Sequence, residues 1–399
     1  MRFITRALPA LLALALVGGP VTAGNLTQPS HSISGAIEIS KAGGLGRIEL
    51  HGDVAAVLQR DEGIVALVDV SNSSKPRVLG RYDDGATQSL DGDLAFSTDG
   101  RWLFYARQTV QFSRDGLHVI DVSDPKQPAL HLYEPAGGAL RVEHYDDGAD
   151  EWVVVMDAIA GMIVYRFEPL TGALVPVHVS PLPALKVGGP ASAGIVIQKD
   201  PITKTPLLYA STGETGVEIF DFSDPTSPVL LGSWSEVGLA EIEVLVKGKR
   251  RFVYAATEYW FDKTNKPYVY ELDATNLENI TRRRILSAGC KTDDSHRIQG
   301  MAIAGNDLYV ANSTAGLPVF FGKNLLTFAP VQRGKQNPEA GYPGDFYVFD
   351  VEVADGHVFA TDAANGYLTI LQRGTRAPWD YNSDESPWHG PAHSRSLDC

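Results

Sequence analysis

Short hydrophobic segments recur at intervals of about fifty residues along the 399-residue chain, and turns rich in Gly, Pro, Asp and Ser separate them. The short apolar runs and the frequent turn residues predict β-strands rather than helices. The clearest strands occupy residues 63–71, 116–124 and 216–224, and each reads close to Gly-Leu-x-Val-Ile-Asp-Val-Ser. A period of this length with four short strands in each unit predicts a β-propeller.

Seven innermost strands can be aligned, and their first residues are predicted to form a ring around one mouth of the central channel. These residues are Arg47, Asp93, Arg141, Gly194, Glu243, Gly300 and Asp350. The last repeat stops at residue 371 after three strands, whereas residues 33–40 provide a spare strand. We therefore expect an all-β fold, a seven-bladed β-propeller of four-stranded blades whose ring is closed by the N-terminal strand. It would form one domain over residues 31–373, followed by a tail at 374–399.

Residues 1–23 have the pattern of a secretory signal peptide. Arg2 and Arg6 precede an apolar run that ends in a small-x-small cleavage pattern. The formal net charge of −14 would become −16 without these two arginines. Such an acidic chain is not expected to bind nucleic acid or an anionic membrane. We expect the protein in the secretory pathway, either secreted or in the lumen of a secretory compartment.

Cys290 and Cys399 are the two cysteines of the chain. In a secreted protein such a pair is expected to form a disulfide, which here would hold the C-terminal tail against the loop before blade six. Four triplets match the glycosylation sequon. Their asparagines are Asn25, Asn72, Asn279 and Asn312. Asn312 also lies in a tight Asn-Ser-Thr-Ala-Gly turn, so a purely structural role as a turn residue stays open.

The repeated Asp-Val-Ser-Asp-Pro-x-x-Pro units resemble the LVIVD-repeat family of secreted and surface propellers, and residues 97–104 resemble the turn of YVTN-type propellers. The resemblance implies a fold and no single activity. In length, signal peptide, sequons and predicted fold, the chain also resembles the fungal hetero-Diels-Alderases of tropolone sesquiterpenoid pathways. That resemblance implies loss of water from a hydroxymethyl tropolone to give a quinone methide, followed by cycloaddition to a sesquiterpene alkene without a cofactor.

Charges of opposite sign alternate in part of the predicted ring. We expect neighbours around the ring to form ion pairs with a structural role. The residues, in ring order, are Asp350, Arg47, Asp93 and Arg141. Glu243 lies between two glycines, Gly194 and Gly300, and therefore has no partner in the predicted ring. A carboxyl group beside such a space would have a raised pKa and could transfer a proton near neutral pH. A water molecule or a loop donor could equally fill the space.

Two loops converge on the sector of Glu243. The loop at 258–267 contains the three consecutive aromatic residues Tyr259, Trp260 and Phe261, which predict either a ligand-binding wall or a surface that packs against the C-terminal tail. The loop before blade six brings His296, Arg297 and Gln299 toward the channel mouth. A histidine and an arginine can donate to a developing oxyanion, and the histidine can also carry a proton.

No recognisable metal motif or phosphate-binding loop is present in the sequence, so we expect neither a metal nor an organic cofactor. Three functions stay open. The first is an enzyme that positions an apolar small-molecule substrate and transfers a proton, with Glu243, His296 and Arg297 as its catalytic residues. The second is a propeller that binds a ligand or a protein without chemistry. The third is a lactonase-like or lyase-like propeller enzyme. The sequence leaves the oligomeric state open.

Overall fold

The computed structural model describes residues 29–83, 85, 89–109, 115–180, 193–213, 215–236, 238–257, 268–287, 297–321, 324–329 and 346–375. Across these ranges the chain forms 28 strands, which pair into seven four-stranded antiparallel sheets. Each sheet is one blade, so the predicted seven-bladed β-propeller is confirmed. None of the described residues belongs to a helix of the length and hydrophobicity that a membrane crossing requires.

Each blade is numbered by its place along the chain, and its strands are given from the innermost outward. Blade one contains β2 (Leu45–His51), β3 (Val54–Gln59), β4 (Ile64–Asp69) and β5 (Arg77–Asp83). Blade two contains β6 (Ser89–Phe96), β7 (Trp102–Thr109), β8 (Gly116–Asp121) and β9 (Ala129–Pro135). Blade three contains β10 (Ala139–Asp146), β11 (Glu151–Asp157), β12 (Gly161–Glu168) and β13 (Ala173–Ser180).

The remaining blades follow the same order of strands. Blade four contains β14 (Ala193–Lys199), β15 (Pro206–Thr212), β16 (Gly216–Asp221) and β17 (Val229–Trp234). Blade five contains β18 (Leu239–Lys247), β19 (Arg250–Thr257), β20 (Tyr268–Asp273) and β21 (Thr281–Ser287). Blade six contains β22 (Gly300–Ala304), β23 (Asp307–Ala311), β24 (Leu317–Phe321) and β25 (Asn324–Ala329). Blade seven contains β26 (Val348–Ala354), β27 (His357–Asp362), β28 (Tyr367–Thr375) and β1 (Pro29–Glu38).

The outermost strand of blade seven is β1, from the other end of the described chain. It pairs antiparallel with β28, from Pro29 opposite Thr375 to Glu38 opposite Tyr367, with one irregularity between Ile33 and Gly35. Each innermost strand contacts the innermost strands of the two neighbouring blades, and β2 of blade one contacts β26 of blade seven. The strand order of blade seven is therefore β26, β27, β28 and β1.

A repeated polar turn ends the third strand of several blades. In blade one the Asp69 carboxylate accepts hydrogen bonds from the backbone N–H of Ser71, at 3.0 Å, and from its hydroxyl, at 2.6 Å. In blade two Asp121 and Ser123 make the same pair of bonds at the same distances. These side chains take over backbone donors that no strand can satisfy, which explains why the Asp-x-Ser motif ends the strand.

Neighbouring blades meet closely where this turn rests on a glycine of the preceding blade. A Cβ atom added to Gly80 of β5 would lie 2.5 Å from the carbonyl oxygen of Pro125 in the blade-two turn. One added to Gly232 of β17 would lie 1.8 Å from the carbonyl oxygen of Leu277 in blade five. The repeat therefore encodes the contact between blades as well as the strands, because only glycine permits this approach.

Apolar side chains from facing sheets fill the space between the blades. Between blades two and three, Phe104 and Phe167 are fully buried and pack edge to face with ring centroids 4.8 Å apart. Trp102 lies beside them and donates from its indole N–H to the carbonyl oxygen of Pro169 at 2.7 Å. Such layers hold adjacent blades rigidly, so that the innermost strands keep fixed positions around the channel.

Candidate functional site

The residue that blade five contributes to the mouth of the channel is Glu241. A register shift after Leu239 places Glu241 opposite Ala256, in the same position that Arg141 occupies opposite Met156 in blade three. Glu243 pairs with Tyr254, two residues farther from the mouth, or about 7 Å along a strand. The sequence-based assignment of Glu243 to the mouth ring was therefore wrong by two residues, because it aligned β18 with the other innermost strands at Glu243 instead of Glu241.

Glu241 joins two arginines from other blades. Both carboxylate oxygens accept from Arg47 of blade one, at 2.5 and 3.2 Å, and one of them also accepts from Arg141 of blade three at 2.9 Å. All three side chains are almost completely buried. Because blades one and three lie away from blade five around the ring, these ion pairs cross the channel. We call Arg47, Glu241 and Arg141 the arginine–glutamate bridge.

Both aspartates of the predicted ion pairs accept a hydrogen bond from the backbone of the next blade. Asp350 lies 3.5 Å from Arg47 and accepts from the backbone N–H of Ile48 at 3.0 Å. Asp93 accepts from the backbone N–H of Val142 at 3.1 Å. Each aspartate therefore joins its own blade to the next innermost strand. Arg47 and Asp350 pair as expected. The main partner of Arg47 and Arg141 is Glu241, however, and the predicted pairing between ring neighbours did not include Glu241.

The two glycines do not leave free space next to Glu243. A Cβ atom added to Gly300 would lie 1.9 Å from a carboxylate oxygen of Asp350. One added to Gly194 would lie 2.8 Å from the hydroxyl oxygen of Ser211 and 2.9 Å from the backbone nitrogen of Ile242. The missing side chains allow the innermost strands and Asp350 to approach closely. The expectation that these glycines form a substrate space is therefore not supported by the geometry.

Beneath the bridge lies a layer of four glutamates, one from each odd-numbered blade. They are Glu49, Glu143, Glu243 and Glu352. Each is half-buried in the channel wall. Burial, with repulsion from Glu241 and Asp350, raises the pKa of Glu243 to about 8. Burial, with repulsion from Asp93, likewise raises the pKa of Glu143 to about 8.

The other two carboxyl groups repel each other. Burial and then the charge of Glu143 raise the pKa of Glu49 well above its usual range. Burial and then the charge of Glu49 do the same for Glu352. In the ring above, burial raises the pKa of Asp350 to about 7, although Arg47 opposes the shift. Near neutral pH the glutamate layer therefore holds protonated carboxyl groups. The ion-paired guanidinium groups of Arg47 and Arg141 lie above this layer.

A sequence signal for this arrangement exists. In four blades the ring residue is charged, the next residue is aliphatic and the third is glutamate. These triplets are Arg47-Ile48-Glu49, Arg141-Val142-Glu143, Glu241-Ile242-Glu243 and Asp350-Val351-Glu352. Aligning blade five on this triplet would have identified Glu241 as the ring residue and the glutamates as a second layer.

Arg297 and Gln299 lie directly before β22, on the face where the innermost strands begin. The backbone N–H of Gln299 donates to the carbonyl oxygen of Ala311 at 3.0 Å. Ser313 is fully buried and has a φ of 42°. Its hydroxyl donates to the carbonyl oxygen of Arg297 at 2.7 Å and accepts from the backbone N–H of Arg297 at 3.2 Å. Ser313 also exchanges two backbone hydrogen bonds with Val348 of blade seven, each 3.0 Å long. The segment at the mouth is thus attached to two blades.

Several predicted residues lie outside the described ranges. They are Tyr259, Trp260, Phe261, His296, Cys290, Cys399 and Asn25. Of the other sequons, Asn72 and Asn279 are exposed. Asn312 is fully buried, so its side chain is inaccessible to a glycan in the folded protein. Its role as a turn residue fits the structure, and its assignment as a glycosylation site does not.

Among the described residues, no three His, Cys, Asp or Glu side chains are placed to hold a metal ion together. The prediction that the protein uses no metal is a separate matter and stays a prediction.

The fold is similar to that of several solved propellers. The chain has a TM-score of 0.59 and 12% identity to Raptor of Chaetomium thermophilum, and the match covers 88% of this chain and 30% of that one. For the β-propeller domain of Cps50 (Swd1) of Myceliophteria thermophila the TM-score is 0.55 at 13% identity, over 84% and 98% of the two chains. For Sqt1 of Saccharomyces cerevisiae it is 0.54 at 9% identity, over 86% and 98%. At these identities the similarity shows the fold alone.

No curated protein matches the sequence at a significant level. The model of the LVIVD repeat matches residues 43–84, 110–133 and 208–235. These segments fall in blades one, two and four, the blades in which the Asp-x-Ser motif is clearest. The chain is thus a seven-bladed β-propeller that carries LVIVD repeats.

Proposed function

We propose that this protein is a cofactor-independent enzyme of small-molecule metabolism in the secretory pathway. Its reaction would be the hetero-Diels-Alder joining of a tropolone quinone methide to a sesquiterpene alkene. The observation that carries the proposal is the fixed position of Arg297 and Gln299 at the channel mouth, where buried Ser313 holds the Arg297 backbone. A residue whose backbone is fixed before substrate arrives can place its side-chain donor for the stabilisation of a developing oxyanion.

The arginine–glutamate bridge forms a charged floor beneath this mouth, since its ion pairs cross the channel. Reactants at the mouth would meet this floor and be held above it, which favours a reaction by positioning. Arg297 would donate to the tropolone carbonyl oxygen. The apolar wall is assigned to Tyr259, Trp260 and Phe261, which lie outside the described residues.

The acid that assists loss of water is assigned to His296, because Glu243 lies below the bridge rather than at the mouth. This changes the expectation for Glu243, which belongs to the glutamate layer and does not lie beside a substrate space. A direct role for Glu243 would require a proton to pass the ion pairs of the bridge. Replacement of His296 and replacement of Glu243 are therefore expected to have different effects on turnover.

The test compares rate and product stereochemistry with the uncatalysed background, using a hydroxymethyl tropolone precursor and a sesquiterpene alkene. We expect His296→Ala to lower turnover by about 10²- to 10⁴-fold, as is typical of general acids. Arg297→Gln should lower it by about 10²-fold. Glu143→Gln is the matched control from the glutamate layer and should leave turnover unchanged.

A loss of turnover in Glu243→Gln equal to that of His296→Ala would return the acid role to Glu243. Unaltered rate and stereochemistry in both the His296 and Arg297 variants would reject the mouth as an active site. The alternative is then a propeller that binds a ligand or a protein without chemistry. The buried ion pairs across the channel favour that alternative, because a structural role at this point needs no substrate access.

A further inference from the structure

A cleft of about 380 Å³ lies between blades one and two, on the face opposite the mouth. The turn that joins β6 to β7 and the segment that follows β8 form its walls together with the end of β2. This turn belongs to residues 97–104, which resemble the turn of YVTN-type propellers and have no role in the function proposed above. We call this space the turn cleft.

The imidazole of His51 has a defined orientation at the cleft. It packs against Phe96 with ring centroids 5.6 Å apart. On its other side lies Gly100, which has a φ of 69° and at which an added Cβ atom would be 2.2 Å from Cδ2 of His51. Only glycine allows the ring to lie against this turn. No described residue forms a hydrogen bond with the imidazole, so its N–H can be donated to a ligand.

Arg101 supplies a second donor. Its guanidinium carbon lies over the Trp102 ring, 4.5 Å from the ring centroid. Its contact with Asp121 is long, at 3.5 Å, and the side chain is 41% exposed. A partly exposed guanidinium group whose ion pair is long retains N–H groups for a planar anion.

One carboxylate oxygen of each acidic residue at the cleft accepts hydrogen bonds from its own turn. Asp99 accepts from the hydroxyl of Ser97 at 2.8 Å and from the backbone N–H of Arg101 at 3.0 Å. Asp121 accepts from the backbone and hydroxyl of Ser123. These bonds hold the turns in shape. The donors at the cleft that have room for a ligand are His51 and Arg101, and a group that accepts from both of them would be an anion.

We propose that the turn cleft binds a small molecule that has one carboxylate on an apolar body. The carboxylate would accept from His51 and from the fork of Arg101. The apolar body would lie on Phe96 and on the aliphatic wall of Val54, Val122 and Pro125. The volume suits a molecule with a single ring or a branched chain. The site is separate from the mouth, so it does not depend on the function proposed above.

Phenylacetate is the probe, and phenylacetamide is the neutral molecule of the same shape. Binding to the full chain is measured by calorimetry and by ligand-observed NMR. We expect phenylacetate to bind in about the millimolar range or tighter and phenylacetamide at least ~10-fold more weakly. His51→Gln and Arg101→Gln should each weaken phenylacetate binding by about 10-fold. Exposed Lys75→Gln, which removes one positive charge elsewhere on blade one, should have no effect.

A peptide that ends in phenylalanine with a free carboxylate, and its amidated form, identify the source of the ligand. Binding of the free form only would show that a polypeptide C-terminus can supply the carboxylate, and the proposal stands. Arg101→Lys keeps the charge and is a second variant if Arg101→Gln does not fold. Three results would overturn the proposal: no phenylacetate binding below ~10 mM, equal binding of phenylacetamide, or equal affinity in the His51, Arg101 and Lys75 variants.

Discussion

Glu241 is the shared partner of two buried guanidinium groups from different blades. Replacement of Glu241 by Gln keeps the shape of the side chain and removes its charge, so Arg47 and Arg141 would lose their shared anion. Breaking a buried ion pair from one side costs about 3–5 kcal/mol. We expect Glu241→Gln to lower the free energy of unfolding by that amount, as measured by urea denaturation at pH 7.

Glu243→Gln is the control for this prediction, because it changes the same residue type two positions along the same strand. Its carboxyl group has a pKa of about 8 and carries a proton at pH 7, so the amide replaces a neutral group. Its stability at pH 7 should stay close to that of the parent protein. If Glu241→Gln were as stable as Glu243→Gln, the bridge would have no part in holding the mouth.

Strand and turn elements hold neighbouring blades together through the glycine contacts. Gly232 of β17 lies against the backbone of Leu277, where an added Cβ atom would be 1.8 Å from the carbonyl oxygen. The nearest atoms are backbone atoms of Leu277, so no change of side-chain rotamer could relieve the clash. We expect Gly232→Ala to lower the free energy of unfolding by about 1–3 kcal/mol, the usual cost of overpacking. Thermal denaturation measures the change.

Gly46→Ala is the matched control for this element. A Cβ atom there would meet the nearest neighbour, Cβ of Arg60, at 3.4 Å, which is ordinary contact. Its melting temperature should therefore differ little from that of the parent. If Gly232→Ala had the same melting temperature as Gly46→Ala, the close approach of the Leu277 turn to β17 would not be needed to hold blades four and five together.

At the scale of the whole molecule, the glutamate layer makes stability depend on pH. The pKa values of Glu143 and Glu243 rise from 4.5 in the unfolded chain to about 8 in the folded protein, mainly through burial. Between these pH values the folded protein holds protons that the unfolded chain has released. Their contribution to stability is therefore fully present below pH 4.5 and is lost as the pH rises through 8.

We expect the melting temperature to fall by several degrees between pH 5 and pH 8.5 for this reason. Glu143→Gln combined with Glu243→Gln should make this fall shallower, because an amide does not titrate. Exposed Glu38→Gln serves as the control and should leave the pH profile unchanged. An identical slope in the double variant and the parent would contradict the prediction.

The chain alone determined the strands, their grouping in fours and the number of blades. These features follow from local patterns: apolar runs, the Asp-x-Ser motif at strand ends and the fixed repeat length. The LVIVD-like segments, such as residues 216–224, were the clearest because each one encodes a buried strand and the turn that ends it. Arg47 and Asp350 were also identified as partners, since they occupy equivalent positions in adjacent blades.

Only the tertiary structure decided the partners within the channel. Glu241 and Glu243 are the same residue type and lie on the same face of β18. Their depth along the channel, which the packing of the innermost strands sets, decides which of them reaches Arg47. Arg47 and Glu241 lie 194 positions apart in the sequence, a distance over which local periodicity contains no information. The burial of Asn312 and the filling of the space beside Gly300 have the same origin. Each depends on how closely two blades approach, which packing of the complete ring sets.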